Sequence, residues 1–207
     1  MSTLFFGDSL TEGTNCDNRY TDFLPGGWGV RNYAISGTTI GEYSIYPVDG
    51  QSLLSQIKEY DRQIAEADTI FIEYGTNDVS AIMCGFATEQ KVLISLVKAI
   101  DWIKQLNPDV EIIFLIPGSE KVVKYISHNM CEYLKNIYFK QFELNLPETI
   151  YADTFNRVIT GIKMMCKTLY MYDDNMLTSA FISNDNIHPN VEGHLRIARN
   201  IIEQYHF

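Results

Sequence analysis

A serine, a histidine and an aspartate stand where acyl transfer could use them. Ser9 lies in Gly7-Asp8-Ser9-Leu10, close to the amino terminus. Asp185 and His188 lie in Asp185-Asn186-Ile187-His188-Pro189, close to the carboxyl terminus. A serine hydroxyl is a poor nucleophile until a base takes its proton. Imidazole is that base near neutral pH. A carboxylate on the other ring nitrogen sets the tautomer and stabilises the imidazolium. The spacing brings Asp185 within reach of the His188 ring, with Asp173 and Asp174 as rivals. Acyl transfer also needs donors for the negative charge of the tetrahedral intermediate. Gly37 offers an unobstructed backbone N–H, Asn77 a side-chain amide, and Ser9 its own N–H. The Gly37 loop, Ser36-Gly37-Thr38-Thr39-Ile40-Gly41, holds a second glycine, so Gly41 is an alternative donor.

These residues need elements to bring them together. Short runs rich in β-branched and aromatic side chains predict strands at 4–7, 30–34, 69–74, 111–116 and 168–172. Helical stripes lie between and after them. Leu53, Ile57, Tyr60 and Ile64 form one, and Val92, Leu96, Ala99 and Ile103 another. Val158, Ile159, Ile162 and Met165 form a third, and Val191, Leu195, Ala198 and Ile202 close the chain. Strands alternating with helices imply crossover connections and a doubly wound parallel sheet. Ligands bind such sheets beyond the carboxyl ends of the strands. Ser9, Gly37 and Asn77 each follow a predicted strand, and Asp185 and His188 stand between the last strand and the last helix.

In combination, Gly7-Asp8-Ser9-Leu10, Gly37, Gly75-Thr76-Asn77-Asp78 and Asp185-x-x-His188 resemble the four sequence blocks of the SGNH (GDSL) hydrolase family. They occur in the family's order, and the resemblance runs from residue 4 to about residue 202. It implies an α/β chain, a three-layer α/β/α sandwich with a five-stranded parallel sheet, flavodoxin-like, in strand order 2-1-3-4-5. It implies Ser9 as nucleophile, His188 as general base, Asp185 as its partner, and Ser9, Gly37 and Asn77 as the oxyanion hole. The family hydrolyses esters and thioesters, including lipids, lysophospholipids, acyl-thioesters and O-acetylated sugars. No metal or organic cofactor is implied.

Other chemistries fit poorly. Thr11 stands where the second glycine of G-x-S-x-G belongs. A phosphate-binding loop and a G-x-G-x-x-G fingerprint are absent. The four cysteines form no CxxC pair and suggest neither a zinc site nor a redox motif. Asp8 and Asp78 read as supports for the Ser9 and Asn77 turns. Glu73 is an oddity, a carboxylate inside a strand expected to be buried, and Arg31 is its candidate partner. His194 reads as a surface or packing histidine.

With 207 residues the chain suits one domain spanning 1–207. Segment 119–149, with Tyr125, Tyr133, Tyr138, Phe139 and Phe142, is expected to insert as a wall or lid over Ser9. Tyr43 and Tyr46 are expected to line the substrate cleft. The formal net charge of -10 argues against nucleic acid and anionic membrane surfaces. No apolar run reaches the roughly 18–20 residues of a membrane span. Met1-Ser2-Thr3 carries no basic leader, so a cytoplasmic location is expected. The expected partner is a small-molecule acyl ester; oligomeric state leaves no mark in the sequence. The favoured function is hydrolysis of a short, acetyl-type ester of a small polar or carbohydrate-like alcohol. Alternatives are a lysophospholipase or thioesterase, an acyltransferase with the same residues, and, last, a non-catalytic binding module.

Overall fold

A computed structural model describes residues 1–43, 52–137, 147–178 and 180–205. Five strands form one sheet: β1 (Thr3–Gly7), β2 (Val30–Asn32), β3 (Thr69–Glu73), β4 (Glu111–Ile116) and β5 (Lys167–Tyr170). All pair in parallel, in the order β2-β1-β3-β4-β5. This is the order that the resemblance implies. β1 and β3 are buried along their whole length, which is why Leu4-Phe5-Phe6 and Ile70-Phe71-Ile72 run apolar without alternation.

The two faces of the sheet carry two cores. Leu4, Phe6, Ile70, Ile72, Phe114 and Ile116 point to one side. There they meet α2 (Leu53–Glu59), α5 (Glu89–Leu106) and α7 (Glu148–Lys163). Phe5, Phe71, Ile113, Leu115 and Leu169 point to the other side. They meet α8 (Val191–Gln204) and the 3-10 turn Tyr20–Phe23. The result is three layers, helix on sheet on helix. Three shorter helices complete the set, α1 (Ser9–Glu12), α3 (Asp61–Ala65) and α4 (Thr76–Met83). The long α6 (Glu120–Ile137) sends Val122 to one core and Val123 to the other, so it lies where the layers meet.

The structure departs from the expected elements at three places. The Leu53 stripe is two helices, not one. They break at Tyr60, whose backbone leaves the helical region as its ring stacks on Tyr33 at 4.0 Å. β2 stops at Asn32, whose carboxamide oxygen accepts from Ala34 N in an Asx turn and whose Nδ2 reaches Thr11 O. α8 is rotated from its apolar stripe. Val191 is exposed, and the buried face is His194, Ile197, Ala198 and Ile201. The rotation follows from polar partners inside: His194 Nδ1 accepts from Tyr20 N, and Asn200 Nδ2 donates to Met171 O.

Among the described residues, no helix is long and apolar enough to cross a membrane.

Candidate active site

Ser9 is the first residue of α1, immediately after β1. The turn is built by Asp8, which caps α1 by accepting from Leu10 N at 3.0 Å. Gly7 is required by close approach: a Cβ there would lie 2.4 Å from Thr11 Oγ1. With glycine, α1 folds back tightly on β1 and presents Ser9 at the sheet edge.

His188 comes from the turn before α8. Asp185 organises that turn from its own side chain. One carboxylate oxygen accepts from Ile187 N and His188 N, both at 2.9 Å, and from Ser183 Oγ at 2.8 Å. The other lies 2.6 Å from His188 Nδ1 and accepts from Asn15 Nδ2 at 3.0 Å. His188 Nε2 in turn lies 2.9 Å from Ser9 Oγ. The three residues predicted from spacing therefore form one continuous relay between opposite ends of the chain. Partial burial pushes Asp185 up. The His188 ring, the two amides and the Ser183 hydroxyl outweigh that and hold its carboxyl well below the usual carboxylate range. The charge stays where it can orient the ring.

The rival aspartates are committed elsewhere. Asp173 pairs with Arg196 at 2.7 Å and caps a 3-10 turn through Asn175 N. Asp174 bonds Ser119 Oγ.

Gly37 and Asn77 line the same cleft as Ser9 and His188. Gly37 has φ +76°, in the left-handed region that favours glycine. Gly41 does not line the cleft. Asn77 sits in the first turn of α4, where its Nδ2 donates to Thr38 O at 3.0 Å and to Asp8 Oδ2 at 3.2 Å. Both amide hydrogens are thus engaged in the ligand-free arrangement. Donation to an oxyanion must share or replace one of these bonds.

Asp78, next to Asn77, accepts from Ile40 N at 3.0 Å and from Tyr43 Oη at 2.8 Å. It ties the Gly37 loop to α4. Burial pushes its carboxyl up to about 7, against the lowering pull of Tyr43 and Ile40. Tyr43 is accordingly a core residue with its hydroxyl spent on Asp78, and it does not line the cleft. Tyr46 lies outside the described residues. Arg31 is exposed and is not the partner of Glu73. Glu73 Oε2 instead accepts from Thr11 Oγ1 at 3.1 Å, and the Glu73 carboxyl contacts Asp8.

The cleft holds about 400 Å3. Leu10, Ile126, Met130, Tyr133 and Ile187 give it an apolar side; Thr14, Asn15 and Ser36 give it a polar rim. Ile126, Met130 and Tyr133 follow one another along α6, inside the segment expected to wall the site. Tyr125 of that segment packs into the second core, and Tyr138, Phe139 and Phe142 lie outside the described residues. Sequence reasoning missed Asn15 and Ile187. Ile187 could have been found from its place beside His188. Asn15 carries no signal, because its bond to Asp185 spans 170 positions.

Comparison with known proteins identifies the family and the fold. The chain matches the GDSL-like Lipase/Acylhydrolase family over residues 5–196. No curated protein sequence matches it. Among solved structures, a lipase from a goat rumen metagenome superposes with a TM-score of 0.62 at 12% identity, covering 97% of this chain and 95% of that one. A carbohydrate acetylesterase family member from Sinorhizobium meliloti gives 0.62 at 15% identity, covering 99% and 97%. A family two carbohydrate esterase from Clostridium thermocellum, in complex with cellohexaose, gives 0.60 at 14% identity, covering 98% and 62%. At these identities the superpositions establish the shared fold, while the family match spans nearly the whole sequence. The chain is an ester-hydrolysing enzyme that belongs to the GDSL-like lipase/acylhydrolase family.

Proposed function

We propose that the protein is a serine esterase cleaving a short, acetyl-type acyl group from a small polar or carbohydrate-like alcohol. The observation that carries this reading is the relay from Ser9 Oγ through His188 to Asp185, opening on the cleft. The apolar side of the cleft suits an acyl group and the polar rim suits an alcohol. The carbohydrate esterases that share the fold support the alcohol class.

The relay supports the following steps. His188 Nε2 takes the Ser9 proton as Ser9 Oγ attacks the ester carbonyl. Asp185 holds the ring and balances the imidazolium. The oxyanion receives the Ser9 and Gly37 N–H groups and the Asn77 amide. Collapse expels the alcohol, which takes its proton from His188, and leaves acyl-Ser9. Water, deprotonated by His188, then releases the acid and restores Ser9. A bound alcohol in place of water gives acyl transfer with the same residues.

The test uses p-nitrophenyl acetate, butyrate and octanoate with the wild type and Ser9→Ala, without added metal. Wild-type turnover that falls by orders of magnitude in Ser9→Ala is expected, because the relay acts as a unit. The ranking acetate over butyrate over octanoate is expected as well. Equal rates in the two proteins would remove the serine mechanism. An octanoate preference would move the reading to a lipase or thioesterase. Product analysis with added alcohols separates hydrolysis from transfer.

A further inference from the structure

Beneath the Ser9 turn lie two buried carboxyls that the reaction steps above do not use. Asp8 and Glu73 sit on neighbouring strands, where Gly7 is in register with Glu73, and their side chains touch. Neither is bonded to a lysine or arginine among the described residues. Two carboxylates in contact, buried and without a cation, cannot both ionise, so the pair keeps a proton.

The surroundings of the two carboxyls favour one partner as its holder. Asp8 accepts from Leu10 N and from Asn77 Nδ2, and His188 lies close enough to favour its negative form. Glu73 accepts from Thr11 Oγ1 and from the Asp8 backbone N–H, so the donors are evenly shared and the His188 charge on the Asp8 side tips the balance. Because Thr11 gives its hydrogen to Glu73, its 2.9 Å bond to Tyr20 Oη must run from the tyrosine. The chain is then one-directional: Tyr20 to Thr11, Thr11 to Glu73, Glu73 to Asp8. Asp8 receives at the end, with Asn77 and Leu10 donating to it from the other side.

We propose that Glu73 is a positioning residue that carries the shared proton and donates it to Asp8. The Asp8 carboxylate so held is the acceptor that sets the Asn77 amide and the backbone of the nucleophile turn. This rests on the reading of Ser9 as nucleophile and Asn77 as oxyanion donor. The directions of titration agree: burial, then the neighbouring Asp8 charge, push Glu73 well up, and burial pushes Asp8 only to about 6. The groups facing the pair are Tyr20 and Tyr172, Tyr74 and Asp78 beside the Asn77 turn, and Glu12 and His188 on the Asp8 side. Among the described residues no lysine or arginine is bonded to the pair, and the one positive influence, His188, acts on the Asp8 side, which favours ionised Asp8 and leaves the proton on Glu73.

The experiment compares Glu73→Gln, which keeps a donor toward Asp8 without a charge, with Glu73→Leu, which removes it. Infrared difference spectra, taken in a Ser9→Ala background, look for a protonated-carboxyl band. The band is expected to persist at pH 8 and to vanish in Glu73→Gln. The Asn77 side-chain amide signals in NMR are expected to stay sharp in Glu73→Gln and to broaden or move in Glu73→Leu. For ester turnover, Glu73→Leu is expected to lose about 10- to 100-fold in kcat, a fraction of what a missing oxyanion donor costs. KM is expected to stay within about threefold, and the glutamine variant to recover most of kcat. A missing band at pH 8, or Asn77 signals indifferent to both variants, overturns the proposal. So does a glutamine variant no better than leucine. If Glu73→Leu does not fold, the band and the Gln variant still decide. Failure of the serine reading is seen separately, as turnover that survives Ser9→Ala.

Discussion

In the proposed oxyanion hole, the Asn77 amide is the side-chain donor. It is a donor with two hydrogens and two resident acceptors, Thr38 O and Asp8 Oδ2. The longer bond, to Asp8, is the one an oxyanion most easily shares. Asn77→Ala removes the donor from the transition state while leaving Ser9, His188 and Asp185 in place. The expected outcome is a fall in kcat of about 10²- to 10³-fold with KM little changed, read in steady-state ester hydrolysis. A matched rise in KM instead would mean that Asn77 binds substrate rather than the intermediate. At this scale the site is largely legible in the sequence. Ser9, Asp185 and His188 declare themselves through residue type and local spacing. Gly37 and Asn77 follow because each stands just past a strand. Tyr43 misleads for a physical reason: an aromatic after a glycine loop looks like a cleft residue. Only the fold reveals that Asp78 takes its hydroxyl into the core. Glu73 stands out as anomalous, but reasoning from opposite charges looks for a cation beside it. The partner is another acid, a pairing that such reasoning does not suggest.

Among the elements, α6 supplies much of the apolar side of the cleft. Its Val123, Cys131 and Leu134 are buried in the core. Ile126, Met130 and Tyr133, at i, i+4 and i+7, give it a second apolar stripe, and that stripe faces the cleft. Enlarging the half-buried Ile126 to Trp should shorten the space available to an acyl chain. Trimming Tyr133 to Ala should extend it. The ratio of kcat/KM for p-nitrophenyl octanoate over acetate is expected to fall about tenfold in Ile126→Trp and to rise in Tyr133→Ala. A methylene or two in an apolar pocket discriminates by about that much. Ratios that do not move in either variant would assign the acyl group to another wall. Strand positions are readable because the β-rich runs are short and separated by helices, whereas their order is what the family resemblance implies. Helix phase is less readable. Apolar residues alone place the α8 stripe partly out of phase: Ala198 is buried, but the buried face is centred on His194 and includes Asn200, both with polar partners inside. Hydrophobic periodicity cannot see a buried polar group whose partner lies far along the chain.

For the molecule as a whole, the buried titratable groups make stability depend on pH from two directions. His194 is buried with Nδ1 accepting from Tyr20 N, and burial, aided by His188, lowers it to about 4. The unfolded chain, near 6.5, takes up that proton first. Its contribution to stability is therefore present above about 6.5 and lost as pH falls toward about 4. Asp78 behaves oppositely. Burial raises it to about 7, so the native state holds a proton that the unfolded chain releases near 4. Stability then falls as pH rises from about 4 through about 7. At about 1.4 kcal/mol per pKa unit, the two effects reach about 3 and about 4 kcal/mol at most. Asp8, raised to about 6, and Glu73, pushed well up, add to the second slope. Between about pH 4 and 6.5 the two slopes oppose each other, so the net fall shows most clearly above about 6.5, with urea midpoints falling from pH 6 to pH 8. Asp78→Asn provides the control. One Asp78 oxygen already accepts from Ile40 and Tyr43, and the other has no hydrogen-bond partner among the described residues. A carboxamide can keep the acceptor and place its NH2 at the other position without a charge. Asp78→Asn should flatten the fall toward pH 8, while His194→Leu should remove the opposing contribution and extend the fall down toward pH 4. A wild-type profile that rises steadily to pH 8, or an Asp78→Asn profile that still falls as steeply, would show that Asp78 ionises in the native state at no cost. The tie between the Gly37 loop and α4 would then be a charged one.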